Sequence, residues 1–159
     1  MKHRSPSNGS NNDHWETPQY VYDYLEKTFF KDHNGYFDPC PLYSDFDGLN
    51  IEWREANYIN PPYNSVDKTL FIQKALKESK KGKFCVMLIP SSVETKIFHE
   101  IIVPNAKVLL IRRRIKFKGF NSKNEYVINK CGQSGSMFVI FGKNYKPEIK
   151  AITLRGDYS

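Results

Sequence analysis

Cysteine is scarce in this sequence of 159 residues, and the 3 that occur are isolated at Cys40, Cys85 and Cys131. An odd number of unpaired cysteines gives neither a disulfide framework nor the spacing of a zinc site, so free thiols in a reducing compartment are expected. No apolar run reaches the roughly 18–20 residues of a membrane span, and the first residues lack the apolar stretch of a signal peptide. We therefore predict a cytoplasmic protein without a membrane partner.

Histidine is also rare, with 4 residues scattered singly along the chain. Because metal sites need several ligands at characteristic spacings, we predict no bound metal. Apolar and aromatic residues are plentiful, at 40% and 14%, which excludes disorder as the overall state of the chain. Residues 1–13 are the exception, since they are almost wholly polar and predict a disordered tail. Residues 14–159 are predicted to form a single compact domain.

Negative charge is nearly missing from the last third of the chain. Residues 107–159 carry 12 Lys and Arg against 3 Asp and Glu, whereas residues 1–106 carry 12 against 14. The formal net charge of +7 therefore arises entirely in the C-terminal part. A localised basic region favours a polyanionic partner, most simply nucleic acid. A surface kept basic for solubility is the alternative that charge alone leaves open.

Apolar and proline patterns predict strands that alternate with helices. Thr17-Pro18 is an N-cap hydroxyl followed by proline, and it predicts a helix over residues 18–30. Further helices are expected after Asp67 as N-cap and around residues 97–102. Predicted strands lie at residues 36–38, 57–60, 84–89, 107–111 and 137–141. This alternation predicts an α/β fold with a compact, doubly wound, Rossmann-like sheet that is mostly parallel and has helices on both faces.

Two proline turns directly follow predicted strands. They are Asp38-Pro39-Cys40-Pro41 and Asn60-Pro61-Pro62-Tyr63. In open α/β sheets ligands bind beyond the carboxyl ends of the strands, and proline restricts the backbone so that a neighbouring polar side chain and carbonyl point in one direction. A plain strand-ending turn is the alternative. The position of both turns after strands favours a ligand site.

The Asn-Pro-Pro-Tyr tetrapeptide suits the methylation of an amino group that is conjugated to a ring or a carbonyl. The lone pair of such a nitrogen, for example adenine N6, is delocalised and poorly nucleophilic. If the Asn60 side-chain oxygen and the Pro61 carbonyl each accept one N–H, the nitrogen is drawn toward a tetrahedral geometry and its lone pair becomes available. The Tyr63 ring would stack on a base extruded from the double helix.

A run of cations follows the predicted strand 107–111 and should emerge at the ligand edge of the sheet. Its members, which we predict to contact DNA phosphates, are Arg112, Arg113, Arg114, Lys116 and Lys118. The interspersed Ile115 and Phe117 would anchor the segment to the core. A charge-protected edge strand is the alternative. The polar residues 118–136 are predicted to form a DNA-contacting loop.

The order of these motifs resembles the phage-type DNA N6-adenine methyltransferases related to Dam. The resemblance covers roughly residues 14–141. Its Trp-x-Thr-Pro and Arg-x-x-Phe segments are more particular to this small family than the tetrapeptide, which many S-adenosylmethionine-dependent amino-methyltransferases share. The segments are Trp15-Glu16-Thr17-Pro18, Phe37-Asp38-Pro39-Cys40, Asp47-Gly48-Leu49 with Trp53, Tyr58-Ile59-Asn60-Pro61-Pro62-Tyr63, Met87-Leu88-Ile89-Pro90 and Arg114-Ile115-Lys116-Phe117.

The resemblance implies a site-specific adenine methyltransferase that uses S-adenosylmethionine and flips adenine from double-stranded DNA. It implies that the tetrapeptide is catalytic, and that Asp47 contacts the adenosine of the cofactor, a role for which Asp45, Asn50 and Glu52 compete. The larger methyltransferases have a glycine-rich turn after their first strand, and this chain has no glycine there before Gly48. The implied cofactor-binding residues are Trp15, Thr17, Pro18, Asp38, Pro39, Cys40 and Asp47.

Other functions are compatible with the same residues. The tetrapeptide also serves cytosine N4, RNA bases and protein glutamine amides, although the basic C-terminal third disfavours a glutamine amide. A catalytically inactive DNA-binding protein of the same fold is supported by the missing glycine turn and opposed by the intact tetrapeptide. A 5-methylcytosine mechanism needs a cysteine nucleophile, and Cys40 has no basic neighbour in the sequence that would activate it.

The length of 159 residues predicts that no separate target-recognition domain is present. Recognition would then depend on loops of the catalytic core, so a short or relaxed recognition sequence is expected. We also expect a monomer or weak dimer, and action in the host cytoplasm if the gene is carried by a phage.

Overall fold

The strands and helices are seen in a computed structural model that describes residues 15–42, 44–120, 125–131 and 134–154. The predicted tail at residues 1–13 lies outside the described residues. The helices are α1 (Gln19–Leu25), which continues as a π-helical segment Glu26–Phe30, α2 (Ser65–Ser79), and α3 (Val103–Asn105), which follows a π-helical segment Phe98–Ile102. The strands are β1 (Trp15–Glu16), β2 (Ala56–Ile59), β3 (Phe84–Pro90), β4 (Lys107–Ile111), β5 (Lys116–Phe120), β6 (Tyr126–Cys131), β7 (Ser136–Phe141) and β8 (Glu148–Ile152).

The strands form two sheets, and the prediction of one mostly parallel, doubly wound sheet is wrong. A five-stranded sheet has the order β2-β3-β7-β4-β8, and a three-stranded sheet has the order β1-β5-β6. Strand β7 is antiparallel to both of its neighbours, and both ladders of the smaller sheet are antiparallel. Among the residues that the structure describes, parallel pairing is confined to β2 with β3 and to β4 with β8, apart from an isolated bridge between Phe37 and Asn57. The fold is therefore a mixed α/β fold.

The antiparallel β7 follows from the connection that precedes it. A parallel neighbour requires a crossover of a dozen or more residues, usually a helix. The described part of the connection from β4 to β7 instead contains the β5–β6 hairpin. The chain consequently returns to the sheet in the opposite direction and enters between β3 and β4. The prediction that residues 118–136 form a loop is therefore also wrong, because much of this stretch is paired strand.

The five-stranded sheet is covered by apolar residues on both faces. Val86 and Leu88 of β3 pack with Val21 and Leu25 of α1, whereas the alternating Met87 packs on the opposite face with Phe71 and Ile72 of α2. All residues from Phe84 to Ile89 are buried, which confirms that β3 has two buried faces.

Two helix starts differ in detail from the sequence prediction. The first helix begins close to residue 18 as expected, but Pro18 is the N-cap and no side chain caps it. The α2 helix is capped by Asn64, whose side-chain oxygen accepts the Asp67 amide at 2.9 Å, so Asp67 is not the cap itself. Because no side chain caps the first helix, the Thr17 hydroxyl does not act as the N-cap that the sequence predicts.

A buried carboxylate connects the end of α2 to the segment that precedes β2. The Glu78 side chain is fully buried and contacts Lys74 Nζ at 2.9 Å and Lys83 Nζ at 2.6 Å. Burial by itself would raise the pKa of Glu78, but the hydrogen bonds and charges of Lys83 and Lys74 lower it to about 2. Lys83 Nζ also donates to the Trp53 carbonyl at 2.6 Å. The ion cluster thus holds the backbone at Trp53.

No helix in the described part of the chain has the length and apolar character needed to cross a bilayer.

Candidate active site

Asn60 directly follows β2 at the carboxyl edge of the sheet, and its side chain is held by the first strand of the chain. Only 5% of the residue is exposed. Its amide nitrogen Nδ2 donates to the Trp15 carbonyl at 2.6 Å and to the Thr17 hydroxyl at 3.3 Å. Because a backbone carbonyl only accepts, the atom that faces Trp15 must be the NH₂ group. These contacts therefore determine the orientation of the amide.

The carbonyl oxygen of the same amide, Asn60 Oδ1, is buried and has no hydrogen-bond partner. A buried polar atom without a partner costs about 1–3 kcal/mol, so native structures contain few of them. In the described residues only one other side-chain polar atom has this status, the Tyr63 hydroxyl. Both atoms belong to the Asn-Pro-Pro-Tyr tetrapeptide, which predicts that a ligand supplies their partners.

Tyr63 packs its ring against the segment that carries the cations. The Tyr63 and Phe117 ring centroids are 6.0 Å apart at an interplanar angle of 88°, an edge-to-face geometry that aromatic pairs prefer. Burial raises the pKa of the Tyr63 hydroxyl, which keeps it protonated at neutral pH. The tetrapeptide and the Arg-x-x-Phe segment are therefore in direct contact.

Strand β1 joins the Trp-x-Thr-Pro segment to the same place. Trp15 is paired with Gly119 and Glu16 with Lys118 in the antiparallel β1–β5 ladder. Since the Trp15 carbonyl also accepts from Asn60, β1 bridges β5 and the tetrapeptide. Three segments that are far apart in the sequence thus meet at one site.

Asp38 lies beside this site, because its neighbour Phe37 is bridged to Asn57 of β2. Asp38 Oδ1 accepts the Cys40 amide at 2.8 Å, which closes a tight turn at Pro39. Burial raises the pKa of Asp38 to about 6, although the Cys40 hydrogen bond opposes the rise. Asp38 is therefore mostly ionised at neutral pH. Burial makes this charged form less favourable in free energy, and a bound cation would reduce that penalty.

Burial raises the pKa of the Cys40 thiol, and the charge of Asp38 raises it further. A thiol of this kind is a poor nucleophile. This finding agrees with the sequence argument against Cys40 as an activated nucleophile. Cys40 and Cys85 are both free thiols.

Gly48 brings a second loop against the Asp38 turn. A Cβ atom at position 48 would lie 1.8 Å from the Pro39 carbonyl oxygen and 2.8 Å from the Pro39 carbonyl carbon. The Trp53 indole nitrogen donates to the Gly48 carbonyl at 2.7 Å. Only glycine therefore allows this loop to lie directly against the Pro39 carbonyl. The spacing Asp-Gly-Leu followed by Trp is the sequence signal for this contact.

The side chain of Asp47 stabilises its own loop. Its two carboxylate oxygens accept from the Leu49 amide at 3.0 Å and from Asn50 Nδ2 at 2.6 Å. The competing Glu52 contacts Lys83 at 3.1 Å. A contact between Asp47 and the adenosine of a cofactor stays a prediction.

Three tyrosines near Asp38 have no role assigned from the sequence, where only Tyr58 is part of a motif. The Tyr58 hydroxyl lies 2.7 Å from the Thr17 hydroxyl. The Tyr22 and Tyr36 rings contact the Tyr58 ring edge-on, with centroids at 5.7 Å and 6.1 Å. Burial is the main cause of a raised pKa in all three, and it raises the pKa of Tyr36 to about 12. The only sequence signal was the position of Tyr58 two residues before the tetrapeptide.

The cationic segment emerges at the same edge of the sheet as Asn60, as predicted. Strands β2, β3 and β4 run in one direction, because β7 is antiparallel to both β3 and β4. Residues 112–114 are exposed, whereas Ile115 and Phe117 are 2% and 4% exposed. Strand β5 is paired on both sides, with β1 and β6, so the alternative of a charged edge strand is wrong for it.

Within the described residues, no group of three or more His, Cys, Asp or Glu side chains is arranged to hold a metal ion.

The family model described as DNA N-6-adenine-methyltransferase (Dam) matches residues 4–157 of the chain. No curated protein and no solved structure matches this chain at a significant level.

Proposed function

The chain belongs to the DNA N-6-adenine-methyltransferase (Dam) family, and from this premise we propose that it transfers a methyl group from S-adenosylmethionine to N6 of an adenine flipped out of duplex DNA. The observation that carries the proposal is the pair of buried, unpartnered polar atoms on the tetrapeptide, Asn60 Oδ1 and Tyr63 Oη. An adenine amino group offers the N–H donor that the Asn60 oxygen lacks.

In the proposed mechanism, the tetrapeptide accepts two hydrogen bonds, which the two N–H groups of the adenine amino group donate. Asn60 Oδ1 and the Pro61 carbonyl oxygen would each accept a hydrogen bond from one N–H of adenine N6, so that the N6 lone pair is no longer held in conjugation with the ring. S-adenosylmethionine supplies, when bound, an electrophilic methyl group on its sulfonium centre. The Tyr63 ring stacks on the flipped base, with Phe117 supporting it from the side.

The residues around Asp38 fit a cationic cofactor. S-adenosylmethionine carries a sulfonium and an ammonium group, and Asp38 is a buried carboxylate whose pKa is raised to about 6 by that burial. An opposite charge nearby favours the ionised form and would lower this pKa. We propose that Asp38, Pro39 and Cys40 would hold the cofactor. The other proposed cofactor-binding residues are Trp15, Pro18 and Asp47, and the family resemblance implies the same role for Thr17.

The proposed DNA contacts lie on the exposed part of the cationic segment. Arg112, Arg114 and Lys118 are exposed, and the buried Ile115 and Phe117 fix the backbone between them. Arg113 has a left-handed backbone with φ of 70°, which turns the chain sharply between β4 and β5. Cations held on a rigid support bind phosphates without reading the bases. A cytoplasmic location and a phage origin of the gene stay predictions from the sequence.

Removing two of these cations should reduce the salt dependence of DNA binding. Each phosphate contact contributes about 0.9 to the slope of log K against log salt, so Arg112→Ala combined with Arg114→Ala should lower the slope by roughly 1.8 and weaken binding on all sequences alike. The measurement is fluorescence anisotropy of labelled duplex DNA over a series of salt concentrations.

The matched control removes two exposed lysines from the opposite edge of the sheet, Lys143→Ala with Lys146→Ala. These residues follow the carboxyl end of the antiparallel β7, so their loss should leave the slope unchanged. An equal fall of the slope in both double variants would show that the basic third acts only through its net charge.

The proposed activity is tested with methyl-labelled S-adenosylmethionine and purified protein. Duplex DNA, single-stranded RNA and a mixture of unmodified proteins are offered as separate acceptors, and the labelled nucleosides are separated after digestion. We expect label in N6-methyladenine from duplex DNA. Label in N4-methylcytosine, in RNA or in protein glutamine would overturn the proposal, as would DNA binding without any transfer.

A further inference from the structure

The amide of Asn60 must present its oxygen to the substrate, and a side-chain amide can rotate by half a turn. Its oxygen and nitrogen have nearly the same size, so shape does not select the orientation. The Trp15 carbonyl does select it, because a carbonyl only accepts and this one faces Nδ2 at 2.6 Å, and the Thr17 hydroxyl is a second acceptor for the same NH₂ group at 3.3 Å. The rotated amide would place two carbonyl oxygens against each other and leave an N–H where the substrate needs an acceptor.

Of the two groups that accept from the Asn60 amide, Trp15 contributes a backbone carbonyl and Thr17 contributes its side chain. It is 5% exposed, and its hydroxyl does not cap α1, since Pro18 is the N-cap without any side-chain hydrogen bond. The hydroxyl oxygen accepts from Asn60 Nδ2 and lies 2.7 Å from the Tyr58 hydroxyl. A threonine hydroxyl has one proton and two lone pairs, so it can serve both partners at once.

Tyr58 holds the Thr17 hydroxyl in place from the other side. Tyr58 is fully buried, and its ring is contacted edge-on by Tyr22 and Tyr36. The hydrogen-bonded series Tyr58–Thr17–Asn60 therefore runs from the packed core to the side-chain amide of the tetrapeptide.

We propose that Thr17 is a positioning residue, which acts through Asn60 by keeping its amide oxygen directed at the substrate amino group. The inference rests on the proposed methyl transfer and differs from the role in cofactor binding that the family resemblance implies for Thr17. A positioning role predicts a loss of kcat, whereas a cofactor contact predicts a rise of KM for S-adenosylmethionine.

The kinetic test compares Thr17→Val with Thr17→Ser. Valine has nearly the shape of threonine without the hydroxyl, and we expect kcat to fall on the order of tenfold, with KM for S-adenosylmethionine changed by less than about twofold. Serine keeps the hydroxyl and should restore most of kcat. The matched control is Thr28→Val on the exposed side of the segment after α1, which should behave like the unaltered protein.

A second readout does not depend on catalysis. In nitrogen-15 NMR spectra of the full chain, the Asn60 side-chain NH₂ should be protected from exchange with water, and Thr17→Val should increase the exchange of one of its protons. Thr17→Ala serves the same purpose if the valine variant does not fold. The spectra also show whether each variant retains the native fold.

The outcomes separate the two proposals. Unchanged kcat with a raised KM for S-adenosylmethionine, or unchanged exchange of the Asn60 amide, would overturn the positioning role of Thr17. Absence of methyl transfer by the unaltered protein would overturn the proposed function, and the exchange of the Asn60 amide would still decide whether Thr17 positions it.

Discussion

Replacing Asn60 with alanine is expected to reduce the rate of methyl transfer by roughly 10²–10³-fold, while DNA binding is retained. The variant removes the buried Oδ1 acceptor, which has no partner within the described part of the protein. Adenine N6 would then keep its lone pair in conjugation. The measurement is the single-turnover rate of label transfer to duplex DNA, with DNA affinity measured in parallel.

Asn60→Ala also removes the donor to the Trp15 carbonyl, so a loss of stability of about 1–3 kcal/mol is expected and must be separated from the chemical effect. Asn60→Asp keeps an acceptor oxygen and should retain more transfer than alanine. Asn105→Ala, at the opposite edge of the sheet, removes a comparable side-chain hydrogen bond to Ile101 and should leave transfer unchanged. Transfer by Asn60→Ala at the rate of the unaltered protein would refute a catalytic tetrapeptide.

Replacing Gly48 with alanine is expected to weaken the binding of S-adenosylmethionine by more than about tenfold, equivalent to about 1.4 kcal/mol. The added Cβ would lie 1.8 Å from the Pro39 carbonyl oxygen. The nearest atoms that the Cβ would meet, the Pro39 carbonyl oxygen and carbon, are backbone atoms, so the loop at Gly48 must separate from the Asp38 turn. Overpacking of this kind costs about 1–3 kcal/mol or more. Isothermal titration with S-adenosylmethionine and thermal unfolding measure the two effects.

Gly82→Ala is the matched control for Gly48→Ala. Gly82 has a left-handed backbone with φ of 92°, and a Cβ there meets nothing within 4 Å. It should lower stability by about 1 kcal/mol through backbone strain and leave cofactor affinity unchanged. If Gly48→Ala binds S-adenosylmethionine as tightly as the unaltered protein, the Asp38 turn and the Gly48 loop do not form the cofactor site.

Local sequence patterns predict those strands and turns whose conformation depends mainly on residues close to them in the chain. The apolar run at residues 84–89 is buried on both faces as expected, and the predicted strand 107–111 has the observed bounds of β4. The proline turns after residues 38 and 60 lie side by side because Phe37 is bridged to Asn57. The short strands β1 and β6 and the C-terminal β8 escape prediction, since two to six polar or mixed residues show no clear alternation. Strand β5 enters the sequence prediction only as the alternative of a charged edge strand.

The sheet topology could not be predicted because strand direction depends on the connection and not on the strand. The strand at residues 137–141 was recognised, but its apolar run is the same whether its neighbours are parallel or antiparallel. Its direction follows from the β5–β6 hairpin, which was interpreted as a loop because its sequence is polar and contains glycine.

The sequence by itself determined the chemistry that this protein can offer: an amide and a carbonyl on a rigid proline turn, an aromatic ring beside them, and a basic segment that follows a buried strand. These depend on residue type and local backbone restriction. Only the tertiary structure decided how the groups are directed. The Asn60 amide is oriented by a carbonyl 45 residues away, and the Asp38 turn is packed against the Gly48 loop, whose carbonyl accepts from Trp53. Such contacts depend on strand pairing and packing between distant segments, which leave no periodic signal in the chain.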